Sequence, residues 1–145
     1  MDARSKLSTL WIFATLNYLY CDVVTLMDPN LLKQFMAGDI GSVHISQVFL
    51  LGAGVLVEIP MVMVLLARIL SRRPNRWANI AAGMTMTAVQ LLSLVVKTPT
   101  LYYAFFGVIE IACTSVIVWY AWKWRRDERA RSAQTESHRG ASVVG

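Results

Sequence analysis

Apolar positions along the chain gather into four long runs, over residues 7–27, 43–70, 77–96 and 101–122. A helix needs about 20 apolar residues to cross the hydrocarbon of a bilayer. Each run is long enough, and together they use most of the chain. The pattern predicts an all-α fold: a polytopic, four-transmembrane-helix bundle occupying residues 1–131 as one domain. Between the first two runs, "DPN" signals a turn and a helix start, and "LLKQFM" sets Leu31, Leu32, Phe35 and Met36 on one helical face. "AGDIG" then ends the segment with glycines. A short amphipathic helix at the outer interface is expected there, either an anchor for a connector or a lid. "SRRPNR" and "KTPT" read as tight turns.

Composition agrees. Of 145 residues, 56% are hydrophobic and 16% charged, which is too apolar for an ordinary soluble domain. The net charge of +5 could suggest nucleic acid, but its placement points elsewhere. Twelve of the fourteen Lys and Arg residues fall on one side of a four-pass arrangement, leaving only Lys33 and Lys97 on the other. The positive-inside rule makes that side cytoplasmic, with both termini inside. The basic tail then anchors at anionic headgroups, so membrane lipids are expected partners and nucleic acid is not. Trp11, Trp77, Trp119, Trp122 and Trp124 all lie near the same face and read as an aromatic belt. Residues 132–145 are small and polar and read as a disordered cytoplasmic tail. The first run is long, is interrupted by Asn17 and Asp22 and has no A-x-A site after it, so it reads as a retained helix. Cys21 and Cys113 stand apart, with no C-x-x-C spacing, and read as small packing residues.

Candidate chemistry lies in the polar interruptions. At about 1.5 Å per residue, Asp22, Gln90, Glu110, Asn17 and Glu58 fall roughly 9–18 Å below the outer boundary. All four helices contribute. His44, Gln47, Leu51, Gly54 and Glu58 share a stripe at helical spacing on the second helix. Asn79, Gly83, Thr87, Gln90, Ser93 and Lys97 do so on the third, and Tyr103, Gly107, Glu110 and Thr114 on the fourth. The first presents Asn17 and Tyr18 over Cys21 and Asp22. Small residues beside polar ones permit close helix approach. The stripes are expected to face one another and to line a polar pocket that opens outward.

Asp22, Glu58 and Glu110 have no basic residue at their depth. Three ionised carboxylates there would be very costly, so protonation or a cation from outside must neutralise them. Pro60 cannot donate to the carbonyl of Leu56, which offers a further acceptor beside Glu58 or an ordinary packing kink. Asn17 and Gln90 also serve as interhelical glue in the plainer reading, as do protonated Glu58 and Glu110. Asp22 can simply reach water, and His44 reads as interfacial. No H-x-x-H, H-E-x-x-H, G-x-S-x-G or Gly-rich phosphate loop occurs, so no metal site and no cofactor is expected. The second and fourth runs also share a pattern. "GVLVEIPMVMVLLARILSRR" and "GVIEIACTSVIVWYAWKWRR" each carry glycine, then Glu-Ile, an apolar run and two arginines, which reads as a duplicated hairpin or as coincidence.

The stretch "LSTLWIFATLNYLYCDVVTLMDP", with the later "VEIPMVMVLL", resembles a family of small bacterial four-helix membrane proteins of unknown function. The resemblance covers nearly the whole chain. It implies a bacterial inner-membrane location and no particular activity. More loosely, the layout is similar to DoxX-like proteins and to sterol-isomerase-like proteins with membrane-buried carboxylates.

Three functions compete. One is a site binding or moving protons, a cation or a small ligand, with Glu58 and Glu110 as the exchanging pair and Asn17 and Gln90 orienting them. A homodimer is the expected way for so small a bundle to complete a pathway. Against transport, Leu65, Leu66 and Ile117 leave the cytoplasmic half dry. The second is an intramembrane acid/base enzyme, an isomerase or cyclase on a lipophilic substrate. The third is an accessory subunit whose polar residues specify helix pairing.

Overall fold

Residues 2–40, 43–96 and 100–143 are described by a computed structural model, with backbone alone at residues 43, 96 and 124–143. Five helices and one two-stranded ribbon make up these parts. Helix α1 spans Ala3–Met27. Asp2 caps it, its carboxylate accepting the Ser5 N–H at 3.1 Å. The Ser5 donors favour the charged form and hold the Asp2 pKa below its ordinary 3.8. Asp28 then ends one helix and starts the next. The following proline keeps its backbone extended, and its side chain accepts from Asn30 N at 2.9 Å to cap α2, Pro29–Ala37. Gly38 closes α2 with φ +83°, the left-handed conformation that a residue with a Cβ rarely adopts.

Strands β1 (Asp39–Ile40) and β2 (Val43–His44) pair antiparallel, and His44 Nδ1 lies 2.8 Å from Asp39 Oδ1 across them. The ribbon was not legible in the sequence, which ran the second membrane helix back to residue 43. That helix, α3, spans Gln47–Ile69 and starts at a Ser46 cap. Helix α4 spans Arg72–Val96 and begins inside the "SRRPNR" segment read as a turn, five residues before the expected start at residue 77. Helix α5 runs Leu101–Val143, past residue 131, where the sequence placed a disordered tail. Lys97 and most of the "KTPT" turn lie outside the described residues, as does the side chain of Trp124.

Helices α1, α3, α4 and the first half of α5 are long and apolar enough to cross a membrane. They form an up-down bundle in which α1 packs on α3 and α5, α4 packs on α5, and α3 makes a lighter contact with α4. The shared core contains Leu7, Trp11, Ala14, Met63, Ala67, Met86, Cys113 and Ile117. It fills the half of the bundle that holds the N-terminus. Among the described residues, helix α2 packs on α1 and β1.

Two pairs of residues set the spacing of α4 and α5. Gly83 faces Val118 so closely that a Cβ would sit 2.7 Å from its methyl, and one turn along, the Thr87 and Thr114 hydroxyls meet at 2.7 Å. Small residues and hydroxyl pairs hold membrane helices together where lipid is as apolar as the core.

Candidate functional site

Polar side chains gather in two places in the bundle. The first is near the N-terminal end. Trp11 Nε1 donates to Asn79 Oδ1 at 2.7 Å. Asn79 Nδ2 donates to the Asn75 backbone oxygen at 2.8 Å and to Asn75 Oδ1 at 2.6 Å. Asn75 Nδ2 in turn donates to the carbonyl of Ala67 at 2.6 Å. Ser8 Oγ donates to Val64 O at 3.0 Å and accepts from Arg68 Nε at 3.1 Å. Trp11, Asn75, Asn79 and Ser8 are fully buried. Trp11 is therefore not part of an aromatic belt, as its position near a helix end suggested. Its indole is a buried donor with a dedicated acceptor. Trp77, Trp119 and Trp122 do lie on the surface. Asn75 had been read as a turn residue. The signal for it was the i, i+4 spacing to Asn79, which extends the α4 polar stripe by one turn.

The second place is near mid-span. Glu110 on α5 is 1% exposed. Its Oε1 accepts from Asn17 Nδ2 on α1 at 3.3 Å, and the same amide nitrogen reaches the carbonyl of Phe106 at 3.4 Å. Its Oε2 has no hydrogen-bond partner among the described residues. Gln90 on α4 is 7% exposed, and its Nε2 also has no partner. That amide lies over Gly107, one turn from Glu110 on the same face of α5, where a Cβ would come within 2.8 Å of Nε2. The hydroxyl of Tyr18, beside Asn17 on α1, is buried without a partner as well.

Three of the four predicted stripes turn inward. Gly107, Glu110 and Thr114 are buried on α5, Asn79, Gly83 and Gln90 on α4, and Cys21 on α1 beside half-buried Asn17 and Tyr18. The fourth stripe points the other way. His44, Gln47, Leu51, Gly54 and Glu58 are all exposed. Helix α3 turns Pro60, Met63 and Ala67 to the bundle, so Glu58 faces out from its centre. Asp22 is exposed too. The structure thus joins Asn17 to Glu110, sets Gln90 one turn away, turns Glu58 outward, and leaves Asp22 exposed.

What the inner cluster can do follows from its groups. It offers one carboxyl oxygen, an amide N–H and a phenol hydroxyl, and no basic side chain among the described residues bonds to it. A buried polar group without a partner is costly, and more so where lipid replaces water. The Leu7–Trp11–Ile117 core seals it from the N-terminal end.

No curated protein and no solved structure matches the chain. Residues 1–131 match a described family, and the chain belongs to that family of unknown function, DUF6326.

Proposed function

We propose that this small multi-pass membrane protein binds a proton, a cation or a small cationic or neutral ligand at Glu110, with Asn17 and Gln90 orienting it. One observation carries the reading. Glu110 is buried near mid-span with one carboxyl oxygen held by Asn17, while its other oxygen and the nearby Gln90 Nε2 have no hydrogen-bond partner among the described residues. A carboxylate without a basic partner in the membrane favours cations and protons. Binding is favoured over passage through the bundle, because the apolar core closes one side of the site. It is favoured over two-carboxyl acid/base chemistry, because Glu58 faces away from Glu110. The proposal places the protein in the bacterial inner membrane with both termini in the cytoplasm, supported by the twelve basic residues grouped at that end.

Infrared difference spectroscopy in lipid tests this. A carboxyl band that Glu110→Gln removes should change with pH, or on adding sodium, potassium or a small amine. If that band ignores pH, cations and amines alike, Glu110 is structural and the reading fails.

A further inference from the structure

Glu58 is the twelfth of the 23 residues of α3, its centre, and it faces outward. Leu51, Val55, Met61, Val62 and Leu65 surround it on that face and are all exposed. No described residue there is basic. Lipid tails supply no hydrogen bond, so a carboxyl group in such a place calls for a partner of its own. Gly54 lies one turn away on the same face, and a Cβ there would meet nothing within 4 Å.

The chain shows how a similar segment is covered when it faces inward. In "GVIEI" of α5, Gly107 receives the Gln90 amide and Glu110 receives Asn17, each from an adjacent helix. In "GVLVEI" of α3, Gly54 and Glu58 carry the same two features, a glycine gap beside a carboxyl, with no helix against them. The two segments differ in what covers them.

We propose that a second copy of this chain covers this face, α3 against α3, about a two-fold axis along the membrane normal. Copies inserted in one orientation place their α3 helices parallel and their Glu58 side chains at equal depth. A closed two-fold contact needs this self-matching. The two carboxyls then share a proton, one donating and the other accepting, and Gly54 lets the backbones approach. Apart from Glu58 the face between Leu51 and Leu65 carries no charge, so nothing else on it repels a second copy. Its five apolar residues are 37–69% exposed, so the face is open to a second copy along its length.

Single-molecule photobleaching in phosphatidylcholine–phosphatidylglycerol liposomes, across a protein dilution series, reads the association. The chain should be dimeric at high density. Glu58→Leu and Gly54→Leu should each weaken the dimer tenfold or more, whereas Glu58→Gln, which still donates and accepts, should stay within about threefold. A Cβ at Gly54 would meet nothing within 4 Å and Glu58 is exposed, so these variants should keep the monomer's thermal unfolding. In a chain carrying Cys21→Ala and Cys113→Ala, Met61→Cys should cross-link between copies and Leu92→Cys, on the exposed face of α4, should not. A chain that is monomeric at every density overturns the proposal. So does a dimer that ignores Glu58→Leu and Gly54→Leu, or one that cross-links through Leu92→Cys in place of Met61→Cys.

Discussion

The two buried polar clusters sit at different heights on α1, the first around Ser8 and Trp11 and the second around Asn17 and Tyr18. They differ in how far their hydrogen bonds close. In the first, both amides and the indole are engaged, and the chain of bonds ends on backbone carbonyls of α3 and α4. In the second, a carboxyl oxygen, an amide nitrogen and a phenol hydroxyl are buried without partners among the described residues. The comparison separates two uses of intramembrane polarity. A closed network fixes which helices touch and in what register. An open one holds groups ready for something else and stabilises the bundle less than it could.

That distinction can be broken by mutation, and the largest effect belongs to the closed network. Asn79→Leu strands the Trp11 indole and an oxygen of Asn75 and removes the link from α1 to α4. It should destabilise the bundle by about 3 kcal/mol, read by unfolding in mixed micelles, and leave ligand response at Glu110 intact wherever the protein is folded. A loss under about 1 kcal/mol would mean that the network is no stronger than an average interhelical bond in a membrane.

Gly83→Ala comes next. Its new Cβ meets Val118, a stiff side chain on the facing helix, with the Thr114 carbonyl 3.5 Å away. Parting α4 from α5 should cost about 1–3 kcal/mol by overpacking. Because the same helices carry Gln90 and Glu110, ligand response should weaken as well.

Gly107→Ala inverts the pattern. Its Cβ meets only the far end of Gln90 and the Leu94 methyls, so the side chains can yield, and unfolding should shift by under about 1 kcal/mol. The displaced amide should nonetheless alter the infrared response of Glu110. A Gly107→Ala protein with unchanged response would remove Gln90 from the site.

The four spans, their order and the short helix α2 were all readable from length, hydropathy and turn signals. So were the inward faces of α1, α4 and α5, where polar and small residues share a stripe that only a neighbouring helix can accommodate. Glu58 was misplaced because α3 is apolar all round. With lipid on one side and an apolar core on the other, hydrophobicity does not choose which face of such a helix turns inward. The Asn75 network was missed for a different reason: the i, i+4 spacing puts Asn75 on the Asn79 face, but its partners Trp11 and Ala67 come from α1 and α3, and only the tertiary structure brings them together.

What the sequence determined by itself is therefore the membrane architecture, because four runs of sufficient length leave the backbone no other way to satisfy its hydrogen bonds in lipid. Capping at Asp2, Asp28 and Ser46 and the left-handed turn at Gly38 were local too. Only the tertiary structure decided the rotation of α3, and with it that Glu110 rather than Glu58 is enclosed. The reason is steric: Pro60, Met63 and Ala67 fit against α1 and the core, which puts Glu58 on the opposite side of the helix.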